Sequence, residues 1–484
     1  MSLLRQSALA AMSAIVLSGS RFAFTAILAR RLSLENFGHF AYAQWLVDIA
    51  FLVCALGATG AVSRYAAEFR SDEIKLESFM RAWRRWALGL PLLGGIVVLI
   101  GAWMSGYEHD AWAKLMLSVW AASSGFMAMQ MAALSGFQRF ELIFRSNLIF
   151  AIIILLGSWL LPTNFMGPTA LFALMAVASS VASLPGIIMI GRRKNVDAHQ
   201  LSADQTRKIR NYALNMWLVA LLWSLVWSRG ELPVVRAHLG DAGVASYVAV
   251  LTLFGGAIQG VMLGVSAIAP ELTRLWGSDR KEEALKLARS VMDMQLLVCG
   301  ITLAMFICLG PELLTLLFGE NYRIQANTLA ILGFGLLAIA FSTQNHLLQI
   351  ATDGRFSRDS SLAGLLALVA LSLTLIPSFG LIGAALTRSC TMILLIGLTI
   401  IKYQNIQKEK FLNYHNLIII FFINATCFGI TLSNHIYGFF EHLSLLIVAI
   451  ILIALLVRDD VGIIKSFSIF KILRKKIFQG FKQI

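Results

Sequence analysis

Four charged side chains stand inside long apolar stretches of the chain: Arg21, Asp48, Arg229 and Arg388. An ionised group at the centre of a bilayer costs roughly 2.5–3.5 kcal/mol on insertion scales, so each needs a counter-charge, hydrogen-bond partners or water. Arginine is permanently charged and presents a fork of donors that matches phosphate or carboxylate. A carboxylate at the same depth can hold such an arginine, or take up a proton or sodium ion. These residue types therefore point to anion binding, and to cation coupling, inside a membrane. They do not point to bond-making. The sequence has no GxSxG, no Walker loop and no HExxH, and Gly310-Pro311-Glu312 reads as the end of an apolar segment.

Depth follows from the helical rise. Arg21 lies thirteen residues before the turn near Leu34 and Asp48 fourteen after it, so each is about 20 Å from that turn at 1.5 Å per residue. They occupy antiparallel neighbours at similar depth, where they can pair. Arg229 precedes Gly240 by eleven residues, about 16 Å, and Arg388 follows Phe379 by nine, about 13 Å. Half of a hydrocarbon core of about 30 Å is about 15 Å, so all four fall near the midplane, where transporters concentrate their substrate sites. Gln259 is a further polar candidate for that level. Arg30, Arg31 and Arg236 sit near the outer turns, as loop cations or release-side contacts.

The elements that must position these residues are transmembrane helices. The chain is 58% hydrophobic and 14% charged, with mean hydropathy +0.76, against about 25% charge in soluble domains. Fourteen apolar segments can be drawn, at 8–29, 37–60, 87–105, 112–134, 147–161, 168–190, 212–235, 243–268, 290–309, 325–350, 361–377, 380–401, 414–432 and 438–457. Thirty-two of the forty Lys and Arg residues fall in alternate loops on the side of the N-terminus, and four on the other side. This bias predicts that both termini are cytoplasmic. The net charge of +14 is spread over those loops instead of forming a stripe, which argues against nucleic acid.

Residues 9–28 are read as a helix and not a cleaved leader, since no small-residue cleavage site follows. The cysteines Cys54, Cys299, Cys308, Cys390 and Cys427 lie in apolar segments without CxxC spacing and read as packing thiols. Trp217, Trp223 and Trp227 read as belt or packing aromatics, the last two on one face at i, i+4. Gln344, Asn345 and His346 read as interhelical hydrogen-bonding groups.

A diluted repeat divides the chain. One offset aligns Arg31 with Arg236, Gly38 with Gly243 and Tyr42 with Tyr247, which implies two similar halves. The expected organisation is all-α and polytopic, with about 14 transmembrane helices. It has an N-terminal six-helix lobe (1–191), a cytoplasmic linker (192–211), a second six-helix lobe (212–401), two additional helices (402–457) and a basic amphipathic cytoplasmic tail (458–484) on the inner leaflet. The same offset aligns Arg21 with Val226 and Asp48 with Leu253, so the lobes carry different charges in one frame.

Three stretches carry a family pattern. The first is Leu28-Ala29-Arg30-Arg31-Leu32 with Glu35-Asn36-Phe37-Gly38, followed by Ala61-Val62-Ser63-Arg64-Tyr65. The second is Pro270-Glu271-Leu272, then Gly310-Pro311-Glu312-Leu313-Leu314, Leu317-Phe318-Gly319 and Tyr322. The third is Ile376-Pro377-Ser378-Phe379-Gly380-Leu381-Ile382-Gly383-Ala384-Ala385. In this order they resemble the O-antigen type of polysaccharide flippase in the multidrug/oligosaccharidyl-lipid/polysaccharide exporter superfamily.

The resemblance implies a V-shaped, pseudo-two-fold transporter in the bacterial inner membrane. It implies transfer of an undecaprenyl-pyrophosphate-linked oligosaccharide to the periplasmic leaflet through a cavity lined by segments one, two, seven and eight. Arg21 and Arg229, with Arg388, would then neutralise the pyrophosphate, and Asp48 would hold Arg21 or take a coupling ion. No cofactor is expected, and coupling to a proton or sodium gradient or to the membrane potential stays open. Partners would be the lipid-linked glycan, membrane lipids and a polysaccharide polymerase with its chain-length regulator. The rival readings are a cation-coupled drug or metabolite exporter of the same superfamily, a membrane polysaccharide polymerase or ligase, and a scaffold.

Overall fold

The structure is a computed structural model and describes residues 3–104, 110–191, 202–352, 354–407, 414–433 and 446–450. The expected tail (458–484), the first half of the expected linker and most of the last expected helix lie outside the described residues. The described residues are helical throughout, with no strand among them. Among the described residues, ten helical stretches are long and apolar enough to cross a membrane. The count of fourteen segments is not reached by that measure.

The chain divides into two compact units, Met1–Arg229 and Gly230–Ile484. Unit 1 holds α1 (Leu3–Arg31), α2 (Leu34–Cys54), α3 (Ala58–Glu68), α4 (Glu73–Met104), α5 (Ala111–Gly136), α6 (Phe140–Leu160), α7 (Pro168–Gly191) and α8 (Ala203–Ser224), followed by a π-helical turn, Leu225–Arg229. Local sequence sets the helix starts. Ser33 caps α2 by accepting from the Asn36 amide at 3.3 Å, and Asp110 caps α5 by accepting from Trp112 at 3.0 Å. Ser202 and Gln205 form a reciprocal capping box at the start of α8.

Segment two is broken where Leu56 and Gly57 take left-handed φ of 46° and 74°. The break frees carbonyls at the end of α2, and the Trp217 indole N–H of α8 donates to the carbonyl of Leu52 at 3.0 Å. On the same side, the Arg64 guanidinium stacks 4.4 Å above the Tyr212 ring, beside a buried cluster of Tyr65, Phe79, Met80 and Trp83. These contacts tie α8 to α2 and α3. The division between units therefore falls after Arg229, within segment seven, and not at the linker 192–211. The rest of the core of unit 1 is an aromatic stack. Phe40, Trp120 and Phe172 lie 5.5 to 6.3 Å apart, centroid to centroid, and bind α2, α5 and α7 together.

Unit 2 holds α9 (Leu232–Gly277), α10 (Lys281–Phe318), α11 (Ala326–Gly333), α12 (Leu336–Ile339), α13 (Ser342–Ala351), α14 (Arg355–Gln407) and α15 (Tyr414–Ser433). α9 and α14 each contain one glycine with positive φ, Gly240 at 65° and Gly380 at 58°. The chain reverses at both. Tyr247 hydrogen-bonds Glu231 at 2.6 Å, although sixteen residues of straight helix would separate them by about 24 Å. A Cβ on Gly383 would fall 2.0 Å from the carbonyl oxygen of Leu375. A tight helical hairpin needs a left-handed residue at its corner, and glycine takes that conformation without steric cost.

Candidate functional site

Unit 1 contains a cavity of about 750 Å³, within the roughly 300–1,000 Å³ typical of ligand pockets. Its walls are single faces of helices. Ala10, Ser13, Ala14, Leu17 and Arg21 recur along one side of α1, and Gln44, Asp48 and Phe51 along one side of α2. α5 adds Ser124, Ala128, Ala132 and Ser135, and α6 adds Asn147 and Phe150. Alanines and serines predominate at these positions. Their small volume leaves the space, between larger apolar side chains such as Trp120, Met127, Met131 and Met175 on the same wall.

Arg21 and Asp48 both line this cavity, and both side chains are exposed to it. The Arg21 guanidinium carbon lies 5.8 Å from the centroid of Phe150. Asp48 sits in the field of Arg21 and, more weakly, of Arg229. Among the described residues no hydrogen bond or ion pair within 4 Å joins Arg21 to Asp48. Both line one cavity without touching each other. Arg229 ends the π-helical turn and is half-buried. Such one-turn widenings of a helix occur often at functional sites. Beside it, the rings of Trp223 and Trp227 pack at 5.6 Å, as their i, i+4 spacing requires.

The cavity wall is mostly apolar, and several of its polar side chains are engaged within the helices. Asn147 is 4% exposed. Its amide nitrogen donates to Ser13 Oγ at 2.8 Å, and its Oδ1 has no partner. Ser124 and Ser179 spend their hydroxyl protons on the carbonyls of Ala121 and Met175, at 3.1 and 2.8 Å. Asn147 and Ser179 are thereby packing groups, buried behind the cavity surface.

Arg388 has a different environment. It lies in unit 2 and is 1% exposed. Its Nε and Nη2 each donate to Glu231 at 2.7 Å. Tyr247 donates to Glu231 Oε1 at 2.6 Å and contacts the carbonyl of Ala384 at 3.3 Å. The expectation that Arg388 faces substrate is corrected by this geometry. Its donors are turned onto an internal carboxylate, which neutralises a buried charge that would otherwise be costly.

The outer cations are likewise engaged. Arg31 donates to the carbonyls of Ser158, Trp159 and Leu161 at 2.5 to 2.9 Å. It thereby caps the C-terminus of α6, where orphan carbonyls and the helix dipole favour a cation. Arg236 pairs with Asp241 at 2.6 Å beside the Gly240 turn. Arg30 is exposed at the end of α1, and Gln259 is exposed on α9. Gln344 donates to the carbonyl of Ala288 at 3.0 Å, in keeping with its reading as interhelical glue.

The sequence reading missed Glu231, Tyr247, Ser13 and Asn147. The first had a visible signal. Glu231 lies nine residues before Gly240 and Arg388 eight after Gly380, which places opposite charges at similar distances from the turns of two hairpins. Ser13 and Asn147 gave no comparable signal, because serine and asparagine are common within apolar helices.

Ten long apolar helical stretches among the described residues define a multi-pass membrane protein. Residues 3–276 match the family described as polysaccharide biosynthesis protein, and the chain belongs to that family. It is 36% identical over 154 residues to capsular polysaccharide biosynthesis protein CapF of Staphylococcus aureus, a match covering 31% of this chain and 37% of that protein. The match thus spans under half the length of that relative.

The fold is shared with solved transporters. Lipid II flippase MurJ, in an inward-closed conformation, superposes with a TM-score of 0.69 at 15% identity, over 93% of this chain and 98% of that one. An inward-facing multidrug resistance MATE family transporter of the MOP superfamily superposes at 0.61 and 15%, over 85% and 97%. These likenesses establish the architecture.

Proposed function

We propose that this protein moves an undecaprenyl-pyrophosphate-linked oligosaccharide from the cytoplasmic to the periplasmic leaflet of the bacterial inner membrane, in the biosynthesis of O-antigen or another surface polysaccharide. Its termini lie in the cytoplasm, and a polysaccharide polymerase takes up the product. The observation that carries this reading is the contrast between two midplane arginines. Arg388 is closed on an internal carboxylate, whereas Arg21 is exposed on a cavity wall with no carboxylate against it. A site that holds an anionic ligand has to keep donors unspent in this way. The polysaccharide family, and a shared fold with a protein described as a flippase, support the same reading.

In this reading Arg21, with Arg229, offsets the desolvation of the pyrophosphate. The glycan occupies the hydrated cavity and the lipid tail stays in the bilayer. Moving one charge through 100 mV is worth about 2.3 kcal/mol, so a doubly negative head group moving outward gains up to about 4–5 kcal/mol from an inside-negative potential. The decisive experiment is flipping of the lipid-linked oligosaccharide in proteoliposomes. Arg21→Ala is expected to lower the rate at least tenfold at normal protein level, and an inside-negative potential to raise the wild-type rate. A wild-type rate in Arg21→Ala would overturn the site assignment.

The second reading is export of a small organic cation. The observation favouring it is the exposed carboxylate of Asp48 on the same cavity. Cation export driven by counter-flow of protons, with no binding of lipid pyrophosphate, would establish that reading instead.

A further inference from the structure

We infer that Arg81 and Arg85 hold the phosphate of an anionic bilayer phospholipid, whose acyl chain lies along the outer face of α4. The site is separate from the cavity of unit 1, which no residue of α4 lines, and it stands whatever that cavity carries.

Helical spacing sets the face. Ala87, Pro91, Gly94, Val98 and Ala102 recur along one side of α4 and are buried. On the opposite side Leu88, Leu92, Ile96, Ile100 and Trp103 recur at three- and four-residue steps, each 52% to 60% exposed. A Cβ added to Gly89 or Gly101 would meet no atom within 4 Å, so no neighbouring helix among the described residues covers this side there. Arg81 and Arg85 continue the same stripe at its first end, and both are exposed. Eighteen residues separate Arg85 from Trp103, about 27 Å of helix, close to the roughly 30 Å of a hydrocarbon core. Acyl chains therefore cover the stripe. The two arginines stand at headgroup level, beside an exposed Trp86 that suits the same interface.

Charge then selects the headgroup. Other basic side chains at this end of unit 1 have carboxylates: Lys75 has Asp72, Arg64 has Glu68, Arg145 has Glu141, and Arg84 has the buried Glu77. Among the described residues no carboxylate pairs with Arg81 or Arg85. Two like charges at i, i+4 repel each other. An anion held between them removes that repulsion, and two guanidinium forks one turn apart match phosphate oxygens. At the other end of the stripe the cation Lys114 is 8% exposed and lies 4.1 Å from the Trp103 ring centroid, so the stripe offers exposed cations at its first end. A zwitterionic lipid brings its own cation to the phosphate, whereas an anionic one leaves the phosphate to the arginines. Free phosphate would gain nothing from the apolar stripe.

The test counts lipids. Full-length protein is equilibrated in mixed micelles holding equal phosphatidylglycerol and phosphatidylcholine, and the lipids it retains are read by native mass spectrometry. The wild type should retain phosphatidylglycerol in preference. Arg81→Gln/Arg85→Gln should lower the retained ratio of phosphatidylglycerol to phosphatidylcholine about tenfold, since each basic side chain near a bilayer surface changes anionic-lipid binding several-fold. Arg81→Lys/Arg85→Lys should keep most of the preference. Arg207→Gln/Arg210→Gln removes the same charge from exposed positions of α8, in a helix whose first turn carries Asp204, and should leave the ratio unchanged. The inference is overturned by a wild type without preference, by equal loss in the two glutamine variants, by equal loss with the lysines, or by displacement of the lipid with millimolar inorganic phosphate.

Discussion

Arg388→Met isolates the buried ion pair of unit 2. The two side chains are 2% and 0% exposed and joined through Nη2 and Oε2 at 2.7 Å, with Nε on the other carboxylate oxygen at the same distance. Tyr247 adds a third donor to Glu231. Removing the arginine leaves a carboxylate with one tyrosine hydroxyl and no counter-charge. The cost for breaking one side of such a pair is about 3–5 kcal/mol. Glu231→Gln alone strands the guanidinium and costs a similar amount. In Glu231→Gln/Arg388→Met both charges are gone, and apolar replacement of buried pairs is often neutral or better. The double variant should therefore lose far less than the sum of the singles.

The assay is equilibrium unfolding of the four proteins in mixed detergent micelles, read as a double-mutant cycle. Because the guanidinium is closed off from any ligand, the folded fraction of Arg388→Met should bind the lipid pyrophosphate like the wild type. Single variants costing under about 1 kcal/mol and adding without coupling would refute the reasoning, given the 3–5 kcal/mol expected of a buried pair. So would loss of lipid binding in Arg388→Met at unchanged stability.

Other expectations follow from engaged polar groups at helix ends. Arg31→Ala removes three charge-assisted bonds to the last carbonyls of α6; it should destabilise that end by about 1–2 kcal/mol and speed amide exchange over residues 155–161, an effect that unchanged exchange would disprove. In the turn before α4, Asp72 has its carboxyl held below the ordinary 3.8 by a hydrogen bond from the Lys75 side chain and by the Lys75 amide. Its folded pKa is depressed, so its contribution is present above the unfolded value and is lost as pH falls through the folded one. An NMR titration should place the Asp72 carboxyl below 3.8 in the wild type and closer to that value in Lys75→Met.

Much of the architecture was legible because membrane insertion is written in local chemistry. Apolar runs mark spans, and the short connections between them mark hairpins such as those at Gly240 and Gly380, corners that no bulky residue turns as readily. Depth was legible as well, since helical rise is constant. Arg21 and Asp48 come out on one cavity because their distances from a shared turn are nearly equal.

What depth alone leaves open is azimuth, the direction in which a side chain points around its helix axis. That is decided by which neighbour packs on which face. Arg21 and Arg388 have the same residue type and both fall within apolar segments, yet one faces a cavity and the other closes on Glu231. The break at Leu56–Gly57 similarly lets α8 dock on α2 and α3, which moves the boundary of unit 1 past the polar linker to Arg229. Composition and periodicity thus determined that this chain carries membrane-spanning helices with charges inside them. Only tertiary packing decided which charges are free to meet a ligand, because burial and partnership are properties of several helices at once.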